Sequence, residues 1–430
     1  MKRAAVASAA LLAVATLLTG CQKEEVEKLV APLVADVQET PEATEVEEEK
    51  SPLIPEIDDT LSIEEGARIA VVSKSKKGEF WNKVKEGMEA AVKDVNDAGG
   101  INGTKLSYVF EDDEADSGDK AVNAYNALKD NGMQVMVGTV TTGSCLAVIE
   151  KTKQDNIFQL TPSASAQDVI KNDNCFQVCF TDPNQGKGSA DYIAENKLAT
   201  KIAVIYDSSD AYSSGIFNTF KSEAEAKGLD IVTEQSFTKD SKTDFSAQIS
   251  AAKNAGADLV FLPIYYQQAS LILTQCKSAN YNPTFFGCDG LDGLLSIKNF
   301  DTSLCEGVML LTPFAADAQD QATQDFVKKY KDAYKGETPN QFAADAYDGV
   351  MVLAELMKKE GITADMSASD ICDKLKKAIS DKDFSYDGLT GTGMKWGEDG
   401  AVSKDPKAVI IKNGAYSALT ADDIAASTAQ

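Results

Sequence analysis

From Arg68 onward the chain alternates short apolar runs with amphipathic stretches and then repeats the series, a rhythm that confines it to α/β folds built on parallel sheets. Ile69–Val72 is apolar throughout, as a strand buried on both faces must be. Trp81, Val84, Met88, Ala91, Val92 and Val95 follow at the spacing of one helix face. Ala98-Gly-Gly-Ile-Asn-Gly103 ends that helix, and Leu106–Phe110 reads as the next strand. A helix near 119–129, a strand at Val135–Val137, a helix after Thr142 and a strand at Phe158–Leu160 complete the first series. The second series reads as strands at 201–206, 231–237, 258–262, 284–286 and 307–311, with helices at 215–226, 245–254 and 267–278 between them. The last part is mainly helical, over 323–334, 341–358 and 368–379. A glycine-rich stretch and a strand pair at 408–411 and 415–419 close it.

Two such series imply two Rossmann-like α/β lobes, each sheet covered by helices on both faces. Ligands of these sheets sit where loops leave the carboxyl ends of the strands. Three of those loops are rich in hydroxyls: Gly138–Ser144, Thr161–Ser165 and Tyr206–Gly215. Free N–H groups at a helix start, with hydroxyls beside them, suit a small anion such as a carboxylate. The competing reading is that Thr142, Ser144, Ser163 and Ser165 only cap helices, and composition alone leans that way.

The chain has 430 residues and a formal net charge of −25, which argues against nucleic acid or anionic lipid as a partner. It contains no histidine, which removes Ser-His-Asp and Cys-His catalysis and every histidine-bearing metal site. A hydrolase using Ser163 or Cys145 would need Lys or a carboxylate as base, and no Ser-x-x-Lys, P-loop or Gly-x-Ser-x-Gly motif accompanies them. Seven cysteines follow Cys21, an odd number with no Cys-x-x-Cys pair. Cys175 and Cys179 could bridge, but buried free thiols are the expectation. No metal and no cofactor are expected.

The amino terminus carries an address. Lys2-Arg3 and the apolar run Ala4–Leu18 lead to Leu18-Thr-Gly-Cys21, the order of the lipobox of bacterial lipoproteins, which it resembles. Residues 1–20 are therefore expected to be a signal peptide, with Cys21 the acylated first residue that anchors the protein to the outer face of the membrane. Residues 21–65 read as an acidic tether: from Gln22 to Glu65 fifteen Asp or Glu face three Lys, with four prolines and no aromatic residue.

Asn96-Asp-Ala-Gly-Gly-Ile-Asn-Gly103, Val137-Gly138 with its Thr/Ser loop, Leu160-Thr-Pro-Ser-Ala-Ser165, Ile202–Asp207, Asp244-Phe-Ser246 and Gly287-Cys-Asp-Gly290 together resemble the leucine/isoleucine/valine-binding proteins. These are receptors of ABC importers with the type I periplasmic-binding fold, and the similarity runs from about Arg68 to the C-terminus. It implies two lobes joined by three hinge crossovers, the first built from 66–196 and 313–400, the second from 197–312 and 401–430. It also implies a monomer that closes on one free amino acid and delivers it to a permease and ATPase complex. An amino-acid sensor ectodomain is the alternative. By the resemblance, Thr142 and Ser165 hold the ligand carboxylate, and the Ser163 carbonyl and Asp289 hold its ammonium. Tyr212 and Tyr265 line the second lobe, while Val140, Phe80 or Trp81, and Phe342 form apolar walls of the first. Asp289 stands where the family usually has Glu, Tyr212 aligns only with a one-residue insertion, and the Lys74–Phe80 loop is unusually basic.

Overall fold

The computed structural model describes residues 67–73, 82–114 and 118–428. Cys21, Phe80 and Trp81 lie outside the described residues, as do the signal peptide and the tether. The first sheet has five parallel strands in the order β2-β1-β3-β4-β5: β1 (Ala67–Ser73), β2 (Leu106–Asp112), β3 (Val135–Val137), β4 (Phe158–Thr161) and β5 (Cys175–Gln177). This is a doubly wound order, and every residue of β3 and β4 is buried, as helices on both faces require.

The helices of this lobe are α1 (Asn82–Asp97), α2 (Gly118–Asp130) and α3 (Thr142–Gln154). The apolar stripe of α1 is buried: Val84, Met88, Ala91, Val92 and Val95 are each at most 2% exposed. After α1 the chain reverses through Gly99 and Gly100, both at positive φ.

The second sheet has seven strands. Its parallel part is β6 (Ile202–Asp207), β7 (Ile231–Phe237), β8 (Leu259–Leu262), β9 (Thr284–Gly287) and β10 (Met309–Thr312). Two C-terminal strands, β11 (Lys407–Lys412) and β12 (Ala415–Ala418), extend it antiparallel from β10. Along the chain the intervening helices are α4 (Asp182–Asn196), α5 (Ala211–Lys227), α6 (Ser246–Asn254) and α7 (Tyr266–Ser278). After β10 come α8 (Gln321–Ala333), α9 (Gln341–Lys359) and α10 (Ala368–Ile379), and α11 (Ala421–Thr428) closes the described chain. Among the described residues no helix is long and apolar enough to cross a membrane.

The chain passes between the sheets three times. The first passage differs from the expectation that put it at 196. Ala190 and Ile193 of α4 pack with Ile202, Ile216 and Phe220 of the second lobe. Gly186 lets α4 cross α5 closely, since a Cβ there would stand 2.5 Å from the Ile216 carbonyl oxygen. The chain therefore crosses between Gln177 and Asp182. After β10 it returns, with Phe314 packing against Phe326 of α8. Last, Lys404 is still held by the first lobe, its Nζ 3.0 Å from Asp345 of α9 with both side chains buried, and β11 begins three residues later. That passage thus lies beyond the expected boundary at 400.

Two further differences have simple causes, and the cysteines are as expected. Asp210 accepts a hydrogen bond from the Tyr212 N–H at 3.4 Å and caps α5, so the helix starts at Ala211 and Tyr212 sits in its first turn. Strand β5 and helix α11 are too short to carry a pattern. All seven cysteines of the described residues are buried free thiols, so Cys175 and Cys179 do not bridge.

Candidate functional site

The loops after β3 and β4 are stitched together by their own hydroxyls. Ser163 Oγ donates to the Val140 carbonyl at 2.6 Å, and Thr161 Oγ1 donates to the Thr139 carbonyl at 2.6 Å while accepting from the Ala164 N–H at 3.0 Å. Thr142, 1% exposed, accepts from the Ala166 N–H at 3.4 Å. Thr141 gives α3 no side-chain cap, which leaves that helix start open to an acceptor from elsewhere. Ser165 and Thr139 are fully buried, yet neither hydroxyl has a hydrogen-bond partner.

Across from these loops, Asp289 follows β9 in a short 3-10 turn, Asp289–Leu291, and is 4% exposed. Its Oδ1 accepts from the Tyr212 hydroxyl at 2.5 Å, and that hydroxyl accepts from the Gly290 N–H at 2.9 Å. Gly290 has to be glycine here, because a Cβ would stand 2.6 Å from the Tyr212 oxygen and 2.7 Å from the Ile264 carbonyl oxygen. Tyr212 in turn stacks on Tyr265, with ring centroids 4.8 Å apart. Burial pushes the Asp289 carboxyl up to about 7, against the opposing effect of the Tyr212 hydrogen bond.

Between the two groups lies a residue that went unforeseen in the sequence, Asp182. It is 1% exposed, its N–H donates to the Ser165 carbonyl at 2.8 Å, and neither carboxylate oxygen has a hydrogen-bond partner. Burial drives its carboxyl well above the usual range, and the Asp289 and Asp210 carboxylates add to that. The Ser165 hydroxyl is near enough to favour the ionised form but outside hydrogen-bonding geometry. Gln185, also unforeseen, accepts from the Asp289 N–H at 3.2 Å through Oε1, and its Nε2 is unpartnered. A third, Gln341, spans the lobes: its Nε2 donates to the Asp289 carbonyl at 2.8 Å and its N–H to Asp292 Oδ2 at 2.9 Å. The Thr181-Asp182-Pro183 signature announces a helix start and nothing more, and Gln341 has no motif at all.

Val140 and Phe342 belong to the apolar core that also contains Val84 and Met88. A cavity of about 580 Å³ lies not at the Ser165–Asp289 cluster but between Asn340 and Asp292.

Orphaned buried polar atoms are uncommon in folded proteins, and here hydroxyls, a carboxylate and an amide share one place. The arrangement can offer donors and acceptors to a small polar molecule. It offers no activated nucleophile: Ser163 Oγ is committed to a carbonyl, and burial raises the Cys145 thiol to about 12.

The sequence profile of the family described as periplasmic binding protein matches residues 76–415. A Leu/Ile/Val-binding protein homolog of Brucella melitensis is 30% identical over 293 residues, covering 67% of this chain and 77% of that protein. A leucine-, isoleucine-, valine-, threonine- and alanine-binding protein of Pseudomonas aeruginosa is 28% identical, covering 66% of this chain and 75% of its own. Among solved structures, the leucine-binding protein LivK of Thermotoga maritima superposes with a TM-score of 0.73 at 25% identity, over 82% of this chain and 98% of its own.

Proposed function

Because the chain belongs to the periplasmic binding protein family, we propose that it is the extracytoplasmic receptor of an ABC importer, a monomer that closes two lobes on one free amino acid with an aliphatic side chain. The relatives named above bind leucine, isoleucine and valine, and this chain takes the same class of solute. Lobe one comprises about 67–177 and 314–404, lobe two about 182–312 and 407–428. The ligand carboxylate lies on the open start of α3 and the Ser165 hydroxyl, with Thr142 beside it. The ammonium lies on Asp289, which Tyr212 aims and Tyr265 backs, with Ser163 offering its carbonyl. Phe80 or Trp81, with Val140 and Phe342, close the apolar end. No step of chemistry is carried out on the ligand.

The observation that carries this reading is the meeting of unpartnered Ser165 and Asp182 with Asp289 at the junction of the lobes. A zwitterion supplies both an acceptor and a donor there, so only the closed form satisfies both of its ends. Removing one partner of a buried charge pair costs about 2–5 kcal/mol. Asp289→Ala is accordingly expected to weaken leucine binding by roughly tens to thousands of fold in calorimetry. Unchanged affinity would remove Asp289 from the site. The anchor is lipid on Cys21, and mass spectrometry of protein extracted from membranes is expected to find that cysteine acylated; a free thiol there would contradict it.

A further inference from the structure

We infer that Gln341 is the latch between the lobes, a positioning residue that holds the turn at 289–292 from the opposite side of the cleft and sets how long the closed form lasts. Gln341 is 1% exposed and is the first residue of α9, an element of lobe one. Its Nε2 donates to the Asp289 carbonyl at 2.8 Å, and its N–H donates to Asp292 Oδ2 at 2.9 Å. One residue of lobe one thus grips both ends of one short turn in lobe two.

The other holds on this turn come from its own lobe. Gln185 of α4 accepts from the Asp289 N–H at 3.2 Å, and the Tyr212 hydroxyl of α5 joins Asp289 Oδ1 to the Gly290 N–H. Within the turn, the Asp292 N–H donates to the Asp289 carbonyl at 2.9 Å. These bonds travel with lobe two whether the cleft is open or closed. Gln341 takes the second lone pair of that carbonyl, and it does so from across the cleft.

Gln341 is rigidly carried. Asn340 caps α9 by accepting from the Ala343 N–H at 3.1 Å, so Gln341 opens the helix and its own N–H finds no acceptor inside it. The Ala343 backbone packs against Gly87 of α1 with no room for a Cβ between them. Helix α9 therefore moves with lobe one as a body, and opening has to draw both donors of Gln341 off the turn.

Neither bond goes to the Asp289 carboxylate, so Gln341 weighs equally on every ligand held there. Both bonds form only as the lobes meet. They therefore slow the release of a ligand and leave its capture alone. That the latched turn faces a ligand ammonium rests on the amino-acid reading above; the latch itself does not.

The test compares the full chain with Gln341→Met and Gln341→Glu, by amide hydrogen exchange without ligand and by stopped-flow binding of leucine, isoleucine and valine. Gln341→Met keeps the side-chain length and the N–H but deletes the Nε2 donor; Gln341→Glu keeps the shape and sets an acceptor against the carbonyl. In both variants the amides at 288–293 and 340–343 are expected to exchange about threefold to tenfold faster, while α1 and the rest of α9 keep their rates. Dissociation is expected to quicken by about threefold to tenfold, by the same factor for all three amino acids, with association unchanged. Unchanged exchange at the turn overturns the inference. So does faster exchange throughout α9, slower association with dissociation unaltered, or a loss confined to one ligand. Faster exchange confined to the turn, in a protein that binds none of the three amino acids, sinks the amino-acid reading and leaves the latch standing.

Discussion

At neutral pH the Asp289 carboxyl, raised to about 7 by burial, is shared between its neutral and charged forms in the empty protein. An ammonium is held by the charged form. Below pH 7 the carboxyl carries a proton that has to leave on binding, so affinity falls as pH falls, by up to about tenfold per unit. Leucine affinity is therefore expected to be about tenfold lower at pH 6 than at pH 8, and a flat calorimetric profile would remove Asp289 from the ammonium. Composition alone does not say which hydroxyls stay unpaired, although the resemblance names Ser165 by its hydroxyl and Ser163 by its carbonyl. The loop Thr161–Ser165 reads as a row of equivalent donors, but the packing of one loop on the other spends Ser163 on Val140 and leaves Ser165 free. Asp182 was hidden for the opposite reason, because it satisfies a helix-start pattern completely.

Among the elements, α9 shows how closely the first lobe is packed. A Cβ at Gly87 of α1 would stand 2.0 Å from the Ala343 carbonyl oxygen of α9, and that backbone cannot rotate away. Gly87→Ala is expected to lower unfolding stability by about 1–3 kcal/mol or more despite the better helix propensity of alanine. Urea unfolding measures it, and a variant as stable as the parent would mean that the two helices do not touch there. Strands and helices were largely legible, because buried parallel strands read as short apolar runs and α1 carries a full apolar stripe. Their partners were not. No helix was expected over Asp182–Asn196, and nothing in Ala190 or Ile193 says on which sheet such a helix packs, so the first crossover was expected some fourteen residues or more too late.

On the scale of the whole molecule, the lobes are tied by two kinds of contact. The chain itself crosses three times, and the buried Lys404–Asp345 pair fixes the start of the last crossing. Gln341 adds hydrogen bonds from α9 to Asp289 and Asp292. A carrier needs the second kind to make and break while the first holds, which is the condition for a ligand to shift the population of closed molecules. In this molecule the residue that bridges the lobes touches the same turn that bears Asp289, so with the ammonium on Asp289 as proposed, occupancy and closure would act on one short segment. The central claim is that one jaw holds the carboxylate and the other the ammonium. Calorimetry with leucine, isocaproate, which lacks the ammonium, and isopentylamine, which lacks the carboxylate, tests it most directly. The account predicts that leucine binds and that each truncated analogue is weaker by about a hundredfold or more; an analogue that binds as tightly as leucine would contradict it.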